Sequence, residues 1–227
     1  MKQLVQFSMV LIILSLAACS PAKTQSPVLA QTNVSPSPSQ EAKPSPSPIL
    51  NSPIRSVDFE NFTYPEIDSR GKFMFKGGHE PTDDDPRGFV DAIYGDVNGD
   101  GKEEALVVHT QSIRGSAIPY FVYIYTMNGD KPKLLWSFYA GERGDGGLRR
   151  TYAESGGLVV ELYGRDRGVN GGTSSEEDNF GVCCPKFFTR SRYEWRGGRF
   201  RLKSKEGAIP NPQGNAAYLP LLERRYS

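Results

Sequence analysis

Short apolar and aromatic runs separated by Gly, Asn and Asp dominate the chain from about residue 57 onward. Runs of this kind, bounded by turn-forming residues, are typical of β-strands, and no stretch has sustained helical periodicity. The pattern therefore predicts a mostly β fold, with a single antiparallel β domain forming a curved sheet or a sandwich. The predicted strands are residues 89–95, 104–111, 119–127, 133–139, 148–154, 157–163, 187–195 and 199–203.

Three short turns support the antiparallel arrangement. The sequences Asn128-Gly129-Asp130, Ser155-Gly156-Gly157 and Arg196-Gly197-Gly198 each separate two predicted strands. Asn and Gly tolerate the positive φ angles that tight hairpins require. The run from Tyr120 to Tyr125 is apolar or aromatic on both faces, which predicts a central strand covered on two sides.

The N-terminal segment has the features of an export signal. Lys2 gives a positive start, and the apolar run from Met9 to Ala18 is shorter than the roughly 20 residues that span a bilayer. The run ends in Leu16-Ala17-Ala18-Cys19, which resembles the lipobox of bacterial lipoproteins. This resemblance implies cleavage before Cys19, lipidation of its thiol and attachment to a membrane. Ser20, rather than Asp, after the cysteine implies delivery to the outer membrane in double-membraned bacteria.

A proline-rich stretch follows the predicted lipidation site. Eight of the chain's 17 prolines lie between Ser20 and Ile54, where few apolar residues are available to form a core. The sequence therefore predicts a signal peptide at 1–18 and a lipidated cysteine with a disordered tether at 19–55. A β-rich domain is expected at 56–205 and an irregular tail at 206–227. The expected location is the cell envelope, with the domain lipid-anchored at the outer membrane or outside the cell membrane.

The sharpest motif lies between the first two predicted strands and runs from Gly95 to Ala105. Counting Asp96 as position one, oxygen-bearing side chains occupy positions one, three, five and nine, and glycine occupies position six. Alternate residues of a tightly curled loop direct their oxygens to one centre, which suits a hard cation such as calcium. An EF-hand would need a bidentate Glu at position twelve, where this chain has Val107.

The acid at Glu104, followed at once by a strand, resembles the strand–loop–strand calcium site of FG-GAP and VCBS repeat proteins. This resemblance implies structural calcium bound by the backbone carbonyl of Lys102 and by four side chains. Those side chains are Asp96, Asn98, Asp100 and Glu104. A metal-free Asp/Gly turn is the alternative. The motif occurs once and shows no internal repeat, which argues against a propeller.

Residues 57–203 as a whole resemble a family of bacterial, notably cyanobacterial, lipoproteins and secreted proteins. The shared stretches are Tyr94–Ala105, Leu148–Tyr152, and Cys183-Cys184-Pro185 ahead of Tyr193-Glu194-Trp195. The resemblance implies no particular activity.

Two adjacent cysteines, Cys183 and Cys184, remain once Cys19 is assigned to lipidation. Export to an oxidising compartment favours a disulfide, although adjacent Cα atoms are closer than disulfides usually require. We predict a strained vicinal disulfide that fixes a turn. A ligand-contacting or redox pair, free thiols and intermolecular bridges are the alternatives.

Charge and side-chain chemistry reduce the number of functions that the sequence is compatible with. A formal net charge of +1 gives no electrostatic reason to expect a nucleic-acid partner. Two histidines are too few for a zinc site without carboxylates, and His109 is expected to be a hydrogen-bonded structural residue. The sequence predicts a membrane-anchored, calcium-stabilised binding or structural module whose partner is an envelope protein or a glycan. No catalytic residue is assigned.

Two other functions remain open. One is a small envelope hydrolase acting on glycans, with an acidic pair near Asp145 or Glu176, and Glu161 is a further candidate carboxylate. The other is a redox component that uses Cys183 and Cys184.

Overall fold

A computed structural model of the protein describes residues 52–67, 69, 71–82, 86–111, 118–142, 146–171 and 185–212. All of them belong to one compact unit, Pro44–Ser227. The described residues form two 3-10 helices, Pro53–Ser56 and Phe59–Asn61, and ten strands. The strands are β1 (Thr63–Pro65), β2 (Lys72–Met74), β3 (Arg87–Gly95), β4 (Glu104–Gln111), β5 (Tyr120–Asn128), β6 (Lys131–Tyr139), β7 (Leu148–Glu154), β8 (Gly157–Tyr163), β9 (Phe187–Arg196) and β10 (Arg199–Pro210).

The strands form two four-stranded antiparallel sheets and one small hairpin. We call the sheet of order β3-β4-β5-β6 the front sheet and the sheet of order β10-β9-β8-β7 the back sheet, while β1 pairs with β2. Two-residue turns with positive φ angles, Ser155-Gly156 and Gly197-Gly198, connect neighbouring strands of the back sheet. The mostly β, antiparallel single domain expected from the sequence is confirmed.

The two large sheets pack face to face around the main core. Alternate residues of β4 and β5 point to this side and are fully buried, because side chains alternate between the two faces of a strand. From the back sheet, Leu158 and Val160 of β8 meet them, together with Leu148 of β7. The domain is therefore a β-sandwich.

A second core covers the opposite face of the front sheet, and we call the N-terminal layer that forms it the aromatic cover. It comprises Ile54, Phe59, Tyr64, Phe73 and Phe75, all buried. They pack against the other set of alternating residues in the front sheet, namely Phe89, Ala105, Val107, Tyr123 and Tyr125. The central strand β5 is thus covered on both sides, as its sequence predicts.

The domain is longer at both ends than the sequence suggested. At the N-terminal end, Ile54 is fully buried within a 3-10 helix, so ordered structure begins inside the segment assigned to the tether. At the C-terminal end, β10 stays paired with β9 as far as Pro210, five residues into the segment assigned to an irregular tail. Most of the added residues of β10 are exposed, so backbone pairing holds them rather than an apolar face.

Several predicted features lie outside the described residues. They are the signal peptide, Cys19, most of the tether, the pair Cys183 and Cys184, and residues 213–227. Within the part of the chain that is described, no helix is long and apolar enough to cross a bilayer.

Truncating Ile54 tests whether the aromatic cover is part of the folded domain. Replacing Ile54 with Ala should lower the free energy of unfolding by about 2–5 kcal/mol, because it leaves a cavity in the second core. The matched control is Leu202→Ala, at a side chain that is 53% exposed, which should change stability by less than about 0.5 kcal/mol. Denaturant unfolding measures both, and equal effects would contradict the proposed role of the cover.

Candidate functional site

The predicted calcium loop connects β3 to β4 and is curled by its own side chains. Asp96 accepts hydrogen bonds from the backbone amides of Gly99 and Gly101, at 2.7 and 3.1 Å. Asn98 Oδ1 accepts a hydrogen bond from the backbone amide of Asp100, and Asp100 Oδ1 accepts one from the backbone amide of Lys102. Gly101, at position six, has φ of 82°, a conformation that other residues rarely adopt. The spacing of oxygens in the sequence therefore corresponds to a closed turn.

Glu104 lies under this turn as the first residue of β4 and is fully buried. Its carboxylate accepts hydrogen bonds from the Val97 amide at 3.1 Å, from Asn98 Nδ2 at 2.8 Å and from Thr126 Oγ1 at 2.9 Å. Burial and, to a smaller extent, the negative charges of Asp100 and Asp96 together raise the pKa of Glu104 to about 7, against the lowering effect of the hydrogen bonds from Val97 and Thr126. The loop thus directs negative charge toward an already buried acid.

The donor set suits calcium in its chemistry. Asp96, Asn98, Asp100 and Glu104 offer hard oxygen ligands on one curled segment, and the Lys102 carbonyl could join them. No three His, Cys, Asp or Glu side chains in the described ranges are gathered closely enough to form a metal-binding group by themselves. The Asp side chains accept hydrogen bonds from backbone amides, and each carboxylate keeps further lone pairs that could ligate an ion.

The neighbouring acid, Glu103, has a different role. Arg55 holds both of its carboxylate oxygens, at 2.7 and 2.8 Å, and the guanidinium lies 4.6 Å from the centre of the Tyr94 ring. The hydrogen bond from Arg55 holds the pKa of Glu103 below its ordinary value. This pair ties the first 3-10 helix to the end of the loop.

A second charged cluster lies on the outer face of the back sheet, around the fully buried Glu161 of β8. Cross-strand register places Arg150 of β7 and Arg190 of β9 on either side of it, with Nε–Oε distances of 2.6 and 2.7 Å. Arg149 also contacts the carboxylate, and the Tyr152 hydroxyl lies 3.3 Å away. Three guanidinium groups therefore surround one buried acid.

The arginines decide the protonation of Glu161. Burial by itself would raise its pKa, but hydrogen bonds and charge from the arginines lower it to about 2. A carboxylate held ionised in this way has no proton to donate at neutral pH, so Glu161 does not suit the general acid of a glycosidase. The other candidate acids, Asp145 and Glu176, lie outside the described residues.

A cavity of about 110 Å³ opens on the side of the front sheet that carries the aromatic cover. Its lining residues are Glu66, Ile67, Phe73, Arg87, His109, Gln111, Phe121 and Tyr123. His109, on β4, is fully buried, and neither ring nitrogen has a hydrogen-bond partner among the described residues. The sequence correctly predicted that His109 lies in a strand, but the hydrogen bond expected for it has no partner among the described residues.

Comparison with protein-family models, with curated proteins and with solved structures returns no match for this chain. Functional assignment therefore depends on the residues themselves.

Sequence reasoning found the loop but missed the Glu161 cluster and the cavity. One signal for the cluster was present, since Glu161 interrupts the apolar run from Leu158 to Leu162. A charged residue within such a run needs a partner, although the partners become visible only from strand register. No feature of the sequence indicated the cavity, because its walls come from separate strands and from the aromatic cover.

The Glu161 cluster predicts a specific loss of stability in acid. Because the folded-state pKa of about 2 lies below the ordinary value of 4.5, the unfolded chain binds the proton first as pH falls. The contribution of Glu161 is therefore complete above about pH 4.5 and is lost as pH falls toward 2. Its size should be on the order of 1–3 kcal/mol.

The free energy of unfolding, measured with denaturant between pH 7 and pH 2, tests this contribution of Glu161. Glu161→Gln should be less stable than the native chain at pH 7, and the difference should shrink toward pH 2. The control, Glu154→Gln, removes the exposed partner of Arg192 and should cost less than about 1 kcal/mol at pH 7. A Glu161→Gln deficit that does not depend on pH would show that the carboxylate charge is not responsible.

Proposed function

We propose that this chain is a lipid-anchored envelope protein that presents a calcium-stabilised β-sandwich as a binding or structural module. In this proposal Cys19 carries the lipid, the proline-rich tether separates the domain from the membrane, and the partner is an envelope protein or a glycan. The domain has no assigned catalytic role.

The observation that carries the proposal is the buried carboxylate of Glu104 at the base of the curled loop. No Lys or Arg in the described ranges forms an ion pair with Glu104, Asp96 or Asp100. A divalent cation bound there would neutralise the mutual repulsion of these carboxylates.

The position of the loop explains how an ion would stabilise the whole domain. The loop joins two strands of the front sheet and also packs against the back sheet. A β-carbon added to Gly99 would lie 3.3 Å from the carbonyl oxygen of Gly156, in the turn between β7 and β8. Near that turn, a β-carbon on Gly95, the last residue of β3, would collide with Ala153 of β7. An ordered loop would therefore fix the contact between the two sheets at this end of the sandwich.

Calcium should raise the melting temperature of the mature chain. At a calcium concentration 100 times the dissociation constant, the rise should be about 5–10 °C, because binding only the folded state adds about 2.7 kcal/mol. Calorimetry in chelator and then in excess calcium measures it. Magnesium should have a smaller effect because it demands stricter octahedral geometry.

The matched variants are Asp100→Ala and Asp130→Ala. Asp100 lies in the loop, whereas Asp130 is an exposed aspartate in the turn between β5 and β6. Asp100→Ala should abolish most of the calcium-dependent rise, and Asp130→Ala should preserve it. A melting temperature that calcium does not move, or an equal loss in both variants, would contradict a calcium site in this loop.

The anchor is tested separately through Cys19. In the bacterium, the native chain should incorporate radiolabelled palmitate and sediment with membranes, because two acyl chains give stable anchoring. Cys19→Ala should lose the label, whereas Cys183→Ala should keep both the label and the membrane fraction. Undiminished labelling of Cys19→Ala would exclude this cysteine as the lipid attachment site.

A further inference from the structure

We propose that the cavity beside His109 is a binding site for an uncharged, hydroxyl-bearing ligand, namely the edge of a sugar ring or a small polyol. This deepens the proposed function by assigning a glycan-type ligand to a defined site, and it rests on that function only for the biological source of the ligand. The site shares no residue with the calcium loop.

The first argument is the unsatisfied imidazole. His109 is fully buried, and neither Nδ1 nor Nε2 has a hydrogen-bond partner among the described residues. Aromatic rings enclose it, with the Tyr64 ring centre at 4.1 Å and the Phe75 ring centre at 4.7 Å. Burial lowers the pKa of His109 well below its usual value, so the ring is neutral and offers one donor and one acceptor. Buried polar atoms of this kind ordinarily have partners, and His109 is one of the residues that line the cavity.

The second argument is the charge around the cavity, which disfavours an ionic ligand. The Arg87 guanidinium lies 3.4 Å from Glu66 and 3.3 Å from Glu80. Glu66 lines the cavity, so an entering anion would meet its carboxylate. An entering cation would meet Arg87, whose positive charge already acts on His109. An uncharged ligand avoids both repulsions.

The third argument is that the available groups match hydroxyls. The distances from Arg87 to its two acids exceed the 2.7–2.9 Å of strong charge-assisted bonds, so its N–H groups can also reach other acceptors. Glu66 can accept a hydrogen bond, and the neutral His109 can both donate and accept. A hydroxyl group does both at one atom, and neighbouring hydroxyls of a sugar or polyol could use these groups together.

The fourth argument concerns the walls and the size of the cavity. Phe73, Phe121 and Tyr123 line the cavity and offer apolar surface to C–H groups. A volume of about 110 Å³ holds a few non-hydrogen atoms, which fits one edge of a pyranose or a three- to four-carbon polyol rather than a whole oligosaccharide. Such a small contact implies weak affinity, in the millimolar range.

Histidine NMR tests the site directly, because the chain contains only two histidines. The full mature chain, ¹⁵N-labelled at histidine and held in a detergent without a sugar headgroup, is titrated with D-glucose, N-acetylglucosamine and glycerol. At least one of them should shift the His109 ring nitrogens saturably. The exposed His79 should stay unmoved and serves as an internal reference. Sodium acetate and methylammonium chloride should have no saturable effect on either histidine.

Matched variants separate binding from folding. His109→Phe keeps an aromatic ring among aromatic neighbours but removes both ring nitrogens, and it should weaken binding at least tenfold by ligand-detected saturation-transfer NMR. His79→Phe should leave binding unchanged. If His109→Phe does not fold, Phe121→Ala, in a half-buried wall, should still raise the half-saturation concentration severalfold.

Three results would overturn the inference. The first is that none of the three hydroxylated probes shifts His109. The second is that acetate or methylammonium shifts it while those probes do not. The third is that both histidines shift alike. All measurements are made with calcium and with chelator, so a failed calcium site and a failed sugar site give different results.

Discussion

The structure depends on one constraint, which is that the front sheet must be buried on both faces. Its strands β4 and β5 carry apolar side chains on both sides, so one partner layer cannot remove them from water. The back sheet covers one face and the aromatic cover the other. The N-terminal segment that supplies the aromatic cover, from Ile54 to Phe75, is therefore needed to complete the fold.

The same constraint explains where the unusual polar groups lie. A strand buried on both faces has no solvent-exposed side for a polar residue. Each polar side chain on it therefore needs a hydrogen-bond partner close by. Glu104, at the start of β4, is met by amides of the preceding loop. His109 lies near the other end of β4, on the face of the front sheet that the aromatic cover packs against, and it borders a cavity instead. The two candidate sites are thus consequences of one buried strand.

Much of the fold was predictable because strand periodicity and turn residues are local signals. Strands β4, β7 and β8 begin and end where the sequence predicts. The short strands β1 and β2 were missed, since three residues are too few to show alternation. The buried Ile54 was hidden in a proline-rich context. The exposed end of β10 has no apolar pattern, and only pairing with β9 reveals it.

The sequence could predict only those parts of the candidate sites that lie in one continuous segment of the chain. The spacing of oxygens from Asp96 to Glu104 lies in one loop, and the sequence reveals it. Of the two adjacent acids, the sequence resemblance selects Glu104, and Glu104 is the one that accepts hydrogen bonds from the loop. The pairing of Glu103 with Arg55 is not local, and only the fold reveals it. The arginines around Glu161 and the walls of the cavity come from separate strands, so they require the register of the sheets.

Three buried glutamates provide the comparison that makes a metal ion at the loop a specific expectation. Glu103 has a bidentate arginine, and Glu161 has three guanidinium groups around it. Within the described residues Glu104 alone of the three has no cationic side chain beside it, and two further carboxylates act on it. The fold supplies arginine where it buries the other two acids, and in the proposed calcium site the ion would provide the positive charge that Glu104 lacks.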